Sequence, residues 1–202
     1  MRDEITAYKR ERILEEAVKL FYERGFSGTT LDDIAGKLGV TKPFIYTHFR
    51  SKVELLEAVC RPTIEMSLDA IANAAAETGS PAERLYNGIA NFTKVILQRQ
   101  GNIAVYFREE KHLSEQGLAE INALRKRFDR VLSELLQEGA DSGAFRISDI
   151  RVAALAIGGM VSWAYTWYQP GGRLSFDEIA AKLAHFGMQM VEAQPLTLAA
   201  RS

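Results

Sequence analysis

The sequence has few of the residues and motifs that point to a disulfide-stapled, metal-binding or catalytic protein. Its 202 residues include one cysteine, Cys60, and three histidines that lie far apart in the chain. A single cysteine excludes an intramolecular disulfide and fits a reducing compartment, so we predict a cytoplasmic protein. Nucleophile elbows, zinc-binding helices, phosphate loops and dinucleotide glycine motifs are all missing from the sequence. We therefore predict no enzymatic activity, no catalytic residue, no cofactor and no metal site.

An excess of one charge and long apolar runs are also missing. The formal net charge is −1, which argues against a protein that coats nucleic acid nonspecifically. The only long uncharged run covers residues 152–168, contains a pair of glycines and is soon followed by Pro170. It is marginally short for a membrane span, and the charged stretch MRDEITAYKRER does not resemble a secretory signal. We expect no membrane partner and interpret the run as a helix buried on two sides.

Apolar residues recur at helical spacing along the chain, and no segment alternates as a strand would. We predict an all-α fold. Glycines and caps place the helix ends: Gly25 ends the first helix, Gly101 and Asn102 close the helix that begins at Pro81, and residues 139–143 break the long helix of residues 114–138. Ser148 is expected to start the uncharged helix, and capping boxes to open helices at Ser51 and Ser175.

Residues 30–52, TLDDIAGKLGVTKPFIYTHFRSK, have the pattern of a helix-turn-helix. Thr30 and Asp33 form a capping box, Gly39 supplies the turn, and Thr41 can cap the second helix. That helix is expected to bury Ile45 and Phe49 and to leave the remaining side chains facing outward or sideways: Lys42, Pro43, Phe44, Tyr46, Thr47 and His48. From residue 34 to residue 53 there is no acid but four cations, Lys37, Lys42, Arg50 and Lys52. The pattern favours a helix that lies in the major groove of double-stranded DNA, with positive charge near the phosphates.

The first fifty-odd residues resemble the DNA-binding domain of TetR-family transcriptional regulators. The resemblance covers ILEEAVKLF at residues 13–21, residues 25–26, 29–30 and 34–35, and then residues 39–52. It implies contacts to bases or sugars by Lys42, Pro43, Phe44, Tyr46 and Thr47, and contacts to the DNA backbone by Thr30, Thr41, Tyr46, His48 and Lys52. Lys37 joins these candidates because it lies in the acid-free run. Phe44 departs from the small or hydroxylated residue common at its position, so it either packs on a thymine methyl or turns inward.

The resemblance also implies the organisation of the chain. We predict a three-helix helix-turn-helix domain at residues 1–50, a helical ligand-binding and dimerisation domain at residues 51–193, and a flexible tail at residues 194–202. The helix that starts at Ser51 would join the two domains as a lever. TetR-like proteins build a four-helix bundle between two subunits from their last two helices, which implies a homodimer on a palindromic operator. Its half-sites would lie about 34 to 36 Å apart, or somewhat further, on one face of the duplex.

The segment TWYQPGGRLSFDEIA at residues 166–180 resembles the branch of TetR-like regulators linked to fatty-acid, acyl-CoA and steroid catabolism. The resemblance implies a small, largely apolar effector such as an acyl-CoA. Bulky apolar residues between the lever helix and the C-terminus are candidates to line its cavity, although each also suits ordinary core packing: Met66, Phe92, Phe107, Phe128, Met160, Trp163 and Trp167.

The predicted function is therefore a ligand-responsive transcriptional regulator, expected to be a repressor. Two alternatives remain at this point. An enzyme could use the apolar cavity for acyl chemistry, but His48, His112 and His185 are scattered along the chain. A helical module that binds a ligand or a partner protein could have lost DNA binding, but the presence of Tyr46 and Lys52 speaks against it.

Overall fold

A computed structural model of the chain describes residues 2–192, and the predicted flexible tail lies outside these residues. The described part is all-helical and contains no strand, which confirms the predicted fold class. No helix in this range is long and apolar enough to cross a membrane. The α-helices are α1 (Arg2–Arg24), α2 (Leu31–Leu38), α3 (Lys42–Tyr46), α4 (Lys52–Ala76), α5 (Pro81–Gln98), α6 (Gln100–Glu109), α7 (Glu115–Asp141), α8 (Ile150–Ser162) and α9 (Phe176–Glu192).

The caps around α2 are confirmed. Thr30 Oγ1 accepts a hydrogen bond from the Asp33 N–H at 3.1 Å, and Asp33 Oδ2 accepts one from the Thr30 N–H at 2.8 Å. At the other end, Gly39 has a left-handed backbone with φ of 67°. Glycine adopts this conformation without the steric cost that a side chain would add, so α2 ends sharply and the chain turns into α3.

The predicted ends of α3, α5 and α7 fare differently. Thr41 is the N-cap residue of α3 as predicted, but its side chain makes no capping hydrogen bond. The predicted end of α5 at Gly101 and Asn102 was wrong, because α5 ends at Gln98. Gly101 and Asn102 lie inside α6, where the Asn102 side chain donates to the Val59 carbonyl at 3.0 Å and a Cβ on Gly101 would lie 2.9 Å from Val18 Cγ1. The predicted break at residues 139–143 is confirmed: α7 ends at Asp141 and Gly143 has a left-handed backbone, although Gly139 itself still lies inside the helix. Close packing therefore explains the glycines at positions 101 and 139.

The uncharged run also differs from the prediction at both of its ends. Asp149, not Ser148, caps α8, because its carboxylate accepts a hydrogen bond from the Val152 N–H at 3.0 Å. The α-helix stops at Ser162 and continues as a 3₁₀ helix over Trp163–Thr166. The expected single helix of residues 152–168 is thus a shorter α-helix followed by a tighter 3₁₀ turn.

The chain divides into two compact units. The first unit comprises residues up to 65 together with residues 99–124, so it holds α1, α2, α3 and α6 and the first part of α4 and of α7. Its core includes the fully buried side chains of Ile13, Phe21, Ile34, Ile45 and Leu55. This unit extends beyond residues 1–50, and the predicted domain boundaries stay predictions.

The second unit comprises residues 66–98 and residues from 125 onward. In it α5 packs along α9, and α8 packs against both helices. A cluster of Leu97, Ala164, Ile179 and Leu183 forms part of its core, with Met160 packed against the cluster. The unit is built from long amphipathic helices whose apolar faces meet.

Candidate DNA interface

The short helix α3 is anchored by two buried side chains and exposes most of the others. Ile45 and, just beyond the helix, Phe49 are almost completely buried. Tyr46 is 48% exposed, and Thr41, Pro43 and Thr47 are exposed as well. Lys42, Phe44 and His48 are half-buried. The two buried side chains fix the orientation of α3, and its exposed polar and aromatic side chains remain available to contact a DNA duplex.

Two of the predicted DNA-contacting threonines already use their hydroxyl groups. Thr30 Oγ1 donates to Asp33 Oδ2 at 2.6 Å, and Thr47 Oγ1 donates to the Phe44 carbonyl at 2.7 Å. The Thr30 hydroxyl and N–H, together with Arg24, lower the pKa of the Asp33 carboxyl. The Asp33 carboxylate therefore stays ionised and keeps the start of α2 capped near neutral pH.

Lys42 is paired on the protein surface. Its Nζ lies 2.7 Å from Asp32 Oδ2, and this hydrogen bond raises the pKa of the Lys42 ammonium. Solvent reaches both side chains, which are 42% and 64% exposed. An exposed pair of this kind contributes little to stability, so Lys42 can exchange Asp32 for a phosphate at small cost.

Lys52 holds the loop between α1 and α2. Its Nζ donates to the Phe26 carbonyl at 2.8 Å and to the Thr29 carbonyl at 2.9 Å, and it lies 4.0 Å from the centroid of the Phe26 ring. An ammonium with two acceptors and an aromatic face is well satisfied inside the protein. In this structure Lys52 thus fixes the support of the helix-turn-helix, and its predicted contact with DNA stays a prediction.

Phe44 lies beside His48, and the two ring centroids are 5.2 Å apart with the rings edge to face. The Lys9 ammonium approaches the Phe44 ring to 5.6 Å from its centroid. Of the two orientations that the sequence left open, this half-buried position is closer to the inward one. The remaining candidate, Lys37, is exposed in the last turn of α2.

Sequence reasoning missed the two cations of α1 that lie beside the helix-turn-helix. The Arg10 guanidinium lies 4.7 Å from the centroid of the Phe49 ring, next to the Lys9 contact on Phe44. Burial lowers the pKa of His48, and the positive charges of Lys9 and Arg10 lower it further. These residues precede α3 by more than thirty positions, so no local motif includes them. Their spacing from Ile13, on the buried face of α1, was the available signal.

The predicted effector residues fall into three groups. Phe92 and Phe128 are buried in the second unit with ring centroids 4.8 Å apart, while Met66 and Met160 are half-buried in the same unit. Trp163 and Trp167 are 62% and 49% exposed. Phe107 is 40% exposed and belongs to the first unit. The structure thus brings the two phenylalanines of the second unit together.

Each unit also has a cleft that includes none of these seven residues. The cleft in the first unit has a volume of about 260 Å³ and is lined by charged side chains, among them Arg10, Glu57, Arg61 and Glu120. The cleft in the second unit has a volume of about 560 Å³ and is lined by Glu83, Tyr86, Asn87 and Met188, among others. The predicted ligand residues therefore stay a prediction.

Comparison with known proteins connects this geometry to a family. Residues 13–59, which hold most of α1 and all of α2 and α3, match the model of "Bacterial regulatory proteins, tetR family". Residues 78–191 match the model of the "Tetracyclin repressor-like, C-terminal domain". The chain belongs to the TetR family of bacterial regulatory proteins. As a member of this family it is a DNA-binding transcriptional regulator and not an enzyme, as predicted.

Full-length relatives agree with the family models. The chain is 29% identical over 175 residues to the HTH-type transcriptional repressor KstR2 of Mycolicibacterium smegmatis, which covers 86% of this chain and 85% of the relative. The crystal structure of the TetR-family regulator PfmR from Thermus thermophilus is 30% identical, with a TM-score of 0.82, and covers 90% of this chain and all of that one. The crystal structure of AibR in complex with isovaleryl coenzyme A and operator DNA is 27% identical, with a TM-score of 0.75, and covers 90% of this chain and 97% of that one.

Proposed function

We propose that this TetR-family regulator is a repressor that binds a palindromic operator as a homodimer and is switched by a largely apolar effector such as an acyl-CoA. The observation that carries the proposal is the exposure of α3 around its two buried anchors, Ile45 and Phe49. The likeness to KstR2, whose name describes a repressor, supports the direction of control.

The base-reading surface would be the exposed side of α3. Tyr46 offers a hydroxyl and an aromatic edge, Pro43 an apolar surface, and Lys42 a cation whose exposed partner Asp32 is readily exchanged. A helix end that carries such groups reads base edges in the major groove, while neighbouring cations and hydroxyls hold phosphates. Sequence preference would follow mainly from Lys42, Pro43 and Tyr46.

Exposed apolar side chains on the second unit support a homodimer. On α8 and its 3₁₀ extension they recur at spacings of three and eight residues, and α9 adds two more that are four residues apart: Val152, Leu155, Trp163, Phe186 and Met190. Gly159 lies on the same side of α8 as Leu155, is itself exposed, and would let a second helix approach closely. Because α8 and α9 pack against each other and both expose large apolar side chains, we propose that a second copy covers these side chains.

The effector site that we propose lies in the second unit, between α5, α7 and α8. The paired rings of Phe92 and Phe128 come from α5 and α7. On α8, a Cβ added to Gly158 would lie 3.7 Å from Phe128 Cε1, and Met160 provides a flexible thioether nearby in sequence. Apolar groups that can repack would admit an acyl chain. The isovaleryl coenzyme A bound by AibR supports an acyl thioester as the effector class.

A switch requires that the effector bind one conformation more tightly than the other. We propose that the effector favours a state in which the two recognition helices of the dimer no longer match the half-site spacing. Operator affinity then falls by the same factor by which DNA lowers effector affinity, because binding linkage is reciprocal. This reciprocity gives the proposal a quantitative test.

The test uses the purified full-length chain. Sedimentation should give a dimer, and duplexes that it retains from sheared chromosomal DNA should contain an inverted repeat. Isovaleryl coenzyme A and longer acyl-CoAs should weaken binding to those duplexes, with free coenzyme A as the control. A stable monomer, or retained DNA without a repeat, would contradict the dimeric operator complex. Unchanged affinity across the whole chain-length series would contradict the effector class.

A further inference from the structure

The apolar stripe of α1 becomes basic towards the N-terminus of the helix. Ile13, Ala17 and Phe21 form the buried stripe, which fixes how α1 packs in the first unit. Helical periodicity places Lys9 and Arg10 on the same side, one turn before Ile13. If this side of α1 served only to pack against the rest of the unit, we would expect apolar residues at these positions as well. Here the stripe changes to cations where the helix reaches residues 42–52, which we call the recognition segment.

Both cations contact the aromatic rings of that segment. Lys9 Nζ lies 5.6 Å from the centroid of Phe44, a residue of α3, and the Arg10 guanidinium lies 4.7 Å from the centroid of Phe49. Both side chains are exposed, and among the side chains described, those of residues 4–191, none forms an ion pair with either of them. Arg10 also borders the charged cleft of the first unit, beside Glu54 and Glu57.

The other charges of this part of α1 lie elsewhere on the helix. Glu4, Glu11 and Glu15 follow one another at spacings of seven and four residues, which places them on the side opposite Ile13. Arg12 and Lys19 lie between the two sides and pair along the helix with Glu15 and Glu16, at 3.4 and 3.3 Å. The positive charge of α1 is thus concentrated on the side that faces the recognition segment.

Two of the cations of the recognition segment already interact with groups of the protein itself. Lys42 is paired with Asp32, and Lys52 donates to two backbone carbonyls. The major groove is about 12 Å wide and is bordered on both sides by phosphates. With α3 in the groove, the Lys9 ammonium, 5.6 Å from the centroid of the Phe44 ring, therefore lies near the groove edge.

We infer that Lys9 and Arg10 at the start of α1 are phosphate-contacting residues that border the recognition helix and supply part of the operator affinity. The inference rests on the proposed DNA-binding role of α3. It deepens that proposal by assigning to α1 a function beyond packing. Contacts of this kind position the protein on DNA and carry no sequence preference of their own.

The experiment measures duplex affinity against salt concentration for six single variants, of which Lys9→Arg and Arg10→Lys keep the charge. Lys9→Gln and Arg10→Gln remove the proposed contacts, while Lys19→Gln and Arg12→Gln remove the same residue types from the same helix away from that side. The probes are a mixed-sequence duplex of about 30 base pairs, long enough for two half-sites, and a duplex selected by the wild-type protein. Thermal unfolding of each variant shows whether the fold is kept.

When a substitution removes one phosphate contact, the slope of log affinity against log salt should fall by about 0.9, and affinity near 0.15 M salt should fall roughly fivefold, on both duplexes. Lys9→Arg and Arg10→Lys should keep the wild-type slope. Wild-type slopes in Lys9→Gln and Arg10→Gln would overturn the inference. Weaker binding with an unchanged slope and a lower melting temperature would also overturn it, because it would indicate a packing role. A wild-type protein that binds neither duplex would instead contradict the proposed function.

Discussion

The two units of the molecule hold their functional surfaces in different ways. The first unit positions α3 with polar ties that can be named one by one: the Thr30–Asp33 cap, the Gly39 turn and the Lys52 tether to Phe26 and Thr29. The second unit relies on apolar packing, such as the Phe92–Phe128 pair, and leaves apolar side chains exposed on α8 and α9. Polar ties of fixed geometry preorganise a surface, whereas apolar side chains can repack around a new neighbour. This difference fits the roles proposed for the two units, DNA reading for the first and binding of an effector and a second subunit for the second.

The strongest test of the polar ties is the substitution Lys52→Ala. It removes two hydrogen bonds from a charged donor and a cation–π contact, so the free energy of unfolding should fall by about 3 kcal/mol. Operator affinity should fall as well, because the loop before α2 loses its tether. Chemical denaturation measures the first effect. Lys37→Ala, at an exposed position in the last turn of α2, should change stability by less than about 0.5 kcal/mol. Equal stability of the two variants would show that the tether contributes nothing.

The helix-turn-helix was predictable because its information is local. A capping box, a turn glycine and a buried stripe of Ile45 and Phe49 lie within 23 consecutive residues, and each follows from short-range sterics or hydrogen bonding. What each cation contacts was not predictable. Lys52 meets carbonyls of residues more than twenty positions away, and Lys9 meets Phe44 across 35 positions. Such contacts depend on how helices pack, which spacing along one helix does not determine.

Packing in the second unit is tested by two glycines inside helices. A Cβ on Gly139 would lie 2.0 Å from Phe145 Cδ2, whereas a Cβ on Gly158 would make an ordinary contact of 3.7 Å with Phe128. Gly139→Ala should therefore destabilise the protein by about 2 kcal/mol, because the phenylalanine ring must move. Gly158→Ala should stabilise it by about 0.5 to 1 kcal/mol, since alanine is the better helix former. Opposite signs in thermal unfolding are the expected result; the same sign for both would refute this account of the packing.

The same dependence on packing explains why the effector residues were harder to predict than the DNA-binding ones. Composition marks aromatic residues as possible lining, but it cannot tell a buried pair such as Phe92 and Phe128 from the exposed Trp163. That distinction depends on where α8 ends and its 3₁₀ extension begins, and the sequence analysis placed this end six residues too late. Which of the candidate effector residues lie together depends on how α5, α7 and α8 pack against one another.

The two threonines that precede α2 and α3 test how much a local cap contributes. Thr30 makes a reciprocal capping box with Asp33, whereas Thr41 makes no side-chain capping bond. Thr30→Ala should lower the free energy of unfolding by about 1 kcal/mol, and Thr41→Ala should lower it by no more than a few tenths. Denaturant titrations of both variants give the comparison. Stability reduced equally in both would indicate that the hydroxyl of Thr41 caps α3 in solution.

The smallest effect that we expect concerns the pKa of His48. This pKa also tests the inference about α1, because His48 senses the charges of Lys9 and Arg10. Burial, and then Lys9 and Arg10, lower the pKa of His48 in the folded protein. As the pH falls below the ordinary histidine value, the unfolded chain takes up this proton first, so the folded state loses stability over the interval between the two pKa values. The pH dependence of the melting temperature should therefore be flatter in His48→Gln.

In Lys9→Gln the pKa of His48, followed by NMR titration, should rise towards its ordinary value, while in Arg12→Gln it should not move. A pKa unaffected by Lys9→Gln would show that the charge of Lys9 does not reach the recognition segment.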